Sequence, residues 1–161
     1  EGMLRGTVIA MAIISLILIF ALKSLPIGLL SLMPNFVPAA MSFGLWGYLI
    51  GHVGVAASVV TAVTFGIVVD DTIHFLSKYL RGRREKKLDS QDSVRFAFRS
   101  VGHALWTTTA VLAAGFIVLA TSGFEVNWSL GILTAMTIII ALAADFFFLP
   151  PLLMKFDRSK T

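Results

Sequence analysis

The chain has 161 residues, of which 57% are hydrophobic and only 14% charged, with a mean hydropathy of +0.89. Soluble domains run nearer 45–50% apolar and about 25% charged, so a soluble single-domain enzyme is disfavoured. There is no cysteine, which excludes a disulfide framework, a thiolate nucleophile and a cysteine metal site. The net charge of +4 gathers in short stretches between long uncharged blocks, a pattern that points to a membrane and not to nucleic acid. Because the chain starts at Glu1 without a Met, it reads as a processed chain, an excised piece or a part of something longer.

A membrane-crossing helix needs about 20 mostly apolar residues. Five such spans are expected in chain order. The first runs from about Gly6 to Leu22, between Arg5 and Lys23. Between Lys23 and Asp70 no residue carries a formal charge, which is too long for one helix, and Gly51-His52-Val53-Gly54 divides the block. The second span is then about Ile27–Ile50 and the third about Val55–Tyr79. Pro26, Pro34 and Pro38 predict a bent entry to the second span. The polar stretch 81–99 follows, in which Asp89 or Ser90 caps a short helix that starts near Gln91. Val94, Ala97, Phe98 and Val101 form its apolar stripe, with Arg95 and Arg99 on another face. The plain reading is an interfacial helix with its arginines at lipid headgroups, and a docking site for a cytosolic partner is the alternative. The fourth span is about Ser100–Ser122 and the fifth about Asn127–Met154, which Pro150-Pro151 should kink or end. Trp46, Trp128 and Tyr79 lie near span ends, as interfacial anchors do.

The fold class expected is therefore all-α: a bundle of five transmembrane helices plus one short amphipathic helix on the cytoplasmic surface, in a single domain over 1–161. Gly28, Gly44, Gly47, Gly115 and Gly131 are expected to allow close helix packing. Lysines and arginines collect on the cytoplasmic side of short loops. Here Lys23, the cluster from Lys78 to Arg99 and the tail Lys155, Arg158 and Lys160 share one side, while Arg5 falls on the other. This asymmetry predicts an N-terminus outside and a C-terminus inside, and the expected location is the inner (plasma) membrane, as a multi-pass protein. An odd number of spans with an outside N-terminus implies something upstream, either a lost signal or a preceding spanning segment and an extracytoplasmic domain.

Two acids break the third span. A carboxylate at the centre of a membrane costs at least ~2.5–3.5 kcal/mol on insertion scales, so Asp70 and Asp71 together carry roughly twice that and call for a function. Neighbours on a helix point about 100° apart, so one can face a watery cavity while the other braces a neighbouring helix. His74 is within one turn of both acids, and Gly66, one turn before Asp70, leaves room for a neighbour or water. Counting at ~1.5 Å per residue from the basic borders puts Thr107–Thr109 of the fourth span and Asp145 of the fifth at a similar depth. Such a layer suits proton transfer. The threonines can equally bond back to their own helix, and Asp145 can face the bundle or a partner outside this chain. A metal site is disfavoured because His74, Asp70 and Asp71 have no second histidine nearby, and no cofactor is implied.

The segment Gly66-Ile-Val-Val-Asp70-Asp71-Thr-Ile-His74-Phe75 resembles the GxxxDD motif of the resistance–nodulation–division (RND) superfamily, in its MmpL and Patched-like branch. Asp92-Ser-Val-Arg-Phe-Ala, Val101-Gly102, Thr107–Thr109, Gly115-Phe116, Ser122-Gly123-Phe124 and Asp145…Leu149-Pro150-Pro151 resemble the family's following elements in order, so the likeness covers essentially the whole chain. It implies the C-terminal five-helix part of a proton-driven exporter of hydrophobic or lipid-like molecules, a secondary transporter and not an enzyme. Asp70, Asp71, His74, Thr108 and Asp145 would form the proton relay, with Gly66 packing beside it. The classic multidrug branch sets a lysine opposite its acids. This chain has only acids, which favours the lipid-handling branch. The implied partners are membrane lipids, protons, a hydrophobic substrate, and the N-terminal half with its extracytoplasmic domains, but no nucleic acid. A homo-oligomer is left open. The alternative is a non-transporting, sterol-sensing-like membrane module that binds lipid or a partner protein.

Overall fold

The structure, a computed structural model, describes residues 9, 13–14, 16–51 and 55–157, without the side chains at 55–58 and 62. Among the described residues every regular element is helical and no strand occurs. The first expected span is described in part; its end, 16–22, is helical and is called α1. There follow α2 (Leu25–Leu30), α3 (Leu32–Ile50), α4 (Val55–Arg84), α5 (Ser90–Ala97), α6 (His103–Leu119), α7 (Glu125–Ala143) and α8 (Leu149–Asp157). One π-helical turn, Phe98–Gly102, joins α5 to α6, and another, Ala144–Phe148, joins α7 to α8. Among the described residues four continuous stretches are long and apolar enough to cross a membrane: Leu25–Ile50, Val59–Arg84, Ser90–Leu119 and Glu125–Asp157.

Local chemistry accounts for the joints. Pro34 has no N–H for the carbonyl of Leu30, four residues back, and its ring crowds that carbonyl; α2 ends at Leu30. Gly51 closes α3 at φ 80°, a left-handed conformation in which a side chain would be strained. Asp89 caps α5, its carboxylate accepting the Asp92 N–H at 2.7 Å, one residue earlier than a start at Gln91. The short helix and the next span are not separate bodies, since the helix runs on through the π turn to Leu119. Val94 and Ala97 are buried, whereas Arg95 is exposed. At the other π turn, Pro150 and Pro151 lack the N–H groups that Phe146 and Phe147 would use. The helix answers by widening over Ala144–Phe148 rather than ending, and continues to Asp157.

Two apolar clusters hold the bundle. One gathers Leu18 and Leu22 of α1 with Phe75, Leu76, Tyr79, Leu105, Leu149 and Leu153. Phe98 stands edge-on to Phe75 at 5.0 Å and to Phe146 at 5.2 Å, so the two π turns meet at this ring. The second cluster lies toward the other end, around Trp46, Val60 and Leu133. Trp46 is buried and its ring sits 5.7 Å from that of Trp128, while Tyr79 is fully buried. These two side chains therefore brace the bundle instead of anchoring it at an interface. Large apolar side chains that face outward, such as Leu16, Phe20, Val118 and Phe147, give the surface that lipid requires.

Close packing uses fewer glycines than expected. A methyl group at Gly131 would lie 2.5 Å from the Phe116 carbonyl oxygen and 2.6 Å from the Ala120 nitrogen, so α6 and α7 touch backbone to backbone there. Gly28 packs likewise on Ile19, and Gly82 on Ser93. Gly44, Gly47, Gly66 and Gly115 face open space, with no packing contact among the described residues.

Candidate functional site

Between the two apolar clusters lies a polar layer. Asp70 and Asp71 sit near the midpoint of the stretch Val59–Arg84, about 20 Å of helix from Arg84 at 1.5 Å per residue.

The two adjacent acids part company as the helix turn requires. Asp70 points outward with 70% of its side chain exposed, and its Oδ1 lies 3.5 Å from the Nε2 of His74, one turn on. Asp71 is half-buried and accepts the hydroxyl of Thr109 on α6 at 3.4 Å. Both acids and His74 line a groove of about 600 Å³ between α4 and α6. Gly66 and Thr108 line the same groove, whose apolar wall includes Ile67, Val101, Ala104 and Leu112. Thr108 itself donates to the carbonyls of Ala104 and Leu105, each at 3.0 Å, and Thr107 donates to His103 at 2.8 Å. Of the three threonines it is Thr109 that meets an acid.

Asp145 faces inward and is fully buried, in the π turn of the last span. It lies away from the groove lining, at a cluster that sequence reasoning missed. Thr72, next to Asp71 and on the side of α4 away from Asp70, places its hydroxyl 2.7 Å from Asn35 Oδ1, 3.0 Å from the Val68 carbonyl, and 3.2 and 3.4 Å from the two Asp145 oxygens. The hydroxyl owns one proton, so it cannot donate to all of them. Asn35 Nδ2 is buried with no partner among the described residues. Half a turn of the Asn35 amide would let Nδ2 donate to the Thr72 oxygen, freeing the threonine proton for Asp145. A protonated Asp145 would instead donate to that oxygen. The direction of a single hydroxyl therefore follows the protonation of Asp145. Asn35 sits in the stretch of α3 that Pro34 and Pro38 loosen, and Thr72 follows directly on the acid pair; those adjacencies were the available signals.

The layer thus draws polar side chains from α3, α4, α6 and the turn after α7, with residues 37, 38 and 73 positions apart in direct contact. The basic ends of the chain also converge. Arg84 donates to the carbonyls of Leu22 and Lys23, and Arg83 pairs with Asp157 at 2.7 Å. Tyr79 donates to that same carboxylate at 2.6 Å.

Comparison with known families matches the chain to the family model "MMPL family" over residues 1–160. The chain belongs to the MMPL family. No curated protein matches it. Members of the MMPL family are transporters, and with helices able to span a bilayer this chain is a membrane module of RND-transporter type. The likeness read from the GxxxDD segment is thereby borne out at the level of the family.

Proposed function

We propose that this MMPL membrane module drives export of hydrophobic or lipid-like molecules by moving protons through Asp70 and Asp71. The observation that carries the reading is a pair of adjacent acids at mid-span, opening with His74 into a groove whose remaining wall is mostly apolar. A charged carboxylate at this depth costs at least ~2.5–3.5 kcal/mol, and protonation removes that cost. The loaded groove can therefore close on its apolar wall, whereas the unloaded one is held open to water. His74 is placed to pass a proton to Asp70, and Thr109 holds Asp71 against α6, so a change of charge at Asp71 acts directly on the contact between α4 and α6. Asp145 and Thr72 supply a second titratable point behind the first.

In this reading the protein lies in the inner membrane, with the end that carries Lys23, Arg84 and Asp157 in the cytoplasm. Its partners are membrane lipids, protons and the exported molecule. Asp70→Asn and Asp71→Asn, made separately in the full-length protein, should each abolish transport while expression stays normal. Transport retained in both would refute proton coupling through this pair. Lipid binding indifferent to the proton gradient would then return the chain to the binding-module reading.

A further inference from the structure

At the basic end a second crevice opens, far along α4 from the acid pair. It has a volume of about 610 Å³, within the ~300–1,000 Å³ of small-molecule sites. Its floor is hydrocarbon, formed by Ile27 and Leu30 of α2, Leu80 of α4 and Leu153 of α8. Its rim carries Arg83, Arg84 and Lys87 against one carboxylate, Asp157. Arg83 and Asp157 satisfy each other at 2.7 Å. Arg84 and Lys87 form no ion pair among the described residues. Two of the five N–H groups of Arg84 are held by the carbonyls at the end of α1, at 3.1 and 2.9 Å. Those bonds fix the guanidinium beside the crevice without neutralising it. Lys87 projects from a turn at φ 52°.

An apolar slot between spanning helices, with two cations at its mouth that form no ion pair among the described residues, matches a molecule that is apolar at one end and anionic at the other. We infer that this crevice holds an anionic phospholipid, its phosphate on Arg84 and Lys87 and a hydrocarbon chain against Ile27, Leu30 and Leu153. The bound lipid would tie α1, α2, α4 and α8 together at this end. The inference rests on the membrane reading of the helices and is independent of proton coupling.

The test is thermal unfolding of the full-length protein in neutral detergent, titrated with phosphatidylglycerol, with phosphatidylcholine of the same chains, or with inorganic phosphate. Phosphatidylglycerol should raise the midpoint and the other two should not. Lys87→Gln should weaken that response about fivefold, the worth of one basic residue near a lipid surface. Leu30→Trp, which fills the slot and leaves the charges in place, should remove the response. Equal responses to the two lipids, a response to inorganic phosphate alone, or an undiminished phosphatidylglycerol response in both variants would each overturn the assignment. The lipid comparison needs only the unaltered protein, so a variant that folds badly does not blunt the test. No readout here depends on a proton gradient, so failure of this site and failure of the proton reading stay distinguishable.

Discussion

Replacing Thr72 by valine keeps the shape of the side chain and deletes the one hydroxyl that links α3, α4 and the turn after α7. Its acceptors lie out of reach of water: Asp145 is fully buried and Asn35 is 4% exposed. The hydroxyl has one proton, so it donates to one of these acceptors at a time, and the three contacts are not lost as three hydrogen bonds. A buried polar group left unmatched costs about 1–3 kcal/mol in soluble proteins. Bonds between membrane helices average nearer ~0.6 and reach ~1.7 kcal/mol, because the unfolded chain in a membrane also finds partners. Thr72→Val should therefore destabilise the full-length protein by about 1–2 kcal/mol in reversible unfolding in mixed micelles, within these ranges. Thr72→Ser keeps the donor and should lose about 1 kcal/mol or less, the worth of a buried methyl group. The deciding measurement is a double-mutant cycle with Asp145→Leu. If the hydroxyl serves Asp145, the paired change should cost about 0.5–1.7 kcal/mol less than the sum of the single changes. Additivity within ~0.3 kcal/mol would mean that Thr72 and Asp145 do not act together, and the buried cluster would be refuted.

Two glycine substitutions should separate sharply under the same unfolding assay. Gly131→Ala drives a methyl into the α6 backbone and should cost about 1–3 kcal/mol, whereas Gly66→Ala meets open space and should be neutral or gain up to about 1 kcal/mol from helix propensity. Tyr79→Phe removes the donor to Asp157 at 2.6 Å and should lose about 1.5–3 kcal/mol, in line with hydrogen bonds to charged groups. Tyr79→Phe as stable as the parent would show that Arg83 alone holds Asp157.

The hydrophobic blocks, the break at Gly51, a cap at Asp89 or Ser90 and the acid pair were all legible in the sequence, because each depends on residues close together along the chain. A helix in lipid must satisfy its own backbone, so a long apolar block leaves little choice of structure. The GxxxDD segment, read with the pieces that follow it, was enough to identify the family. What rests on rotation about a helix axis was not legible. Thr108 and Thr109 are neighbours about 100° apart, and only the seating of α6 on α4 selects Thr109 for Asp71. The inward aim of Asp145 depends on the π turn that Pro150 and Pro151 impose ahead of themselves, and its meeting with Thr72 spans 73 residues. Glycines that look alike in sequence split into contacts and open faces for the same reason. Composition and local pattern specify which segments become helices; which side chains meet is decided by how distant helices turn and slide against one another, and no local stretch of sequence encodes that.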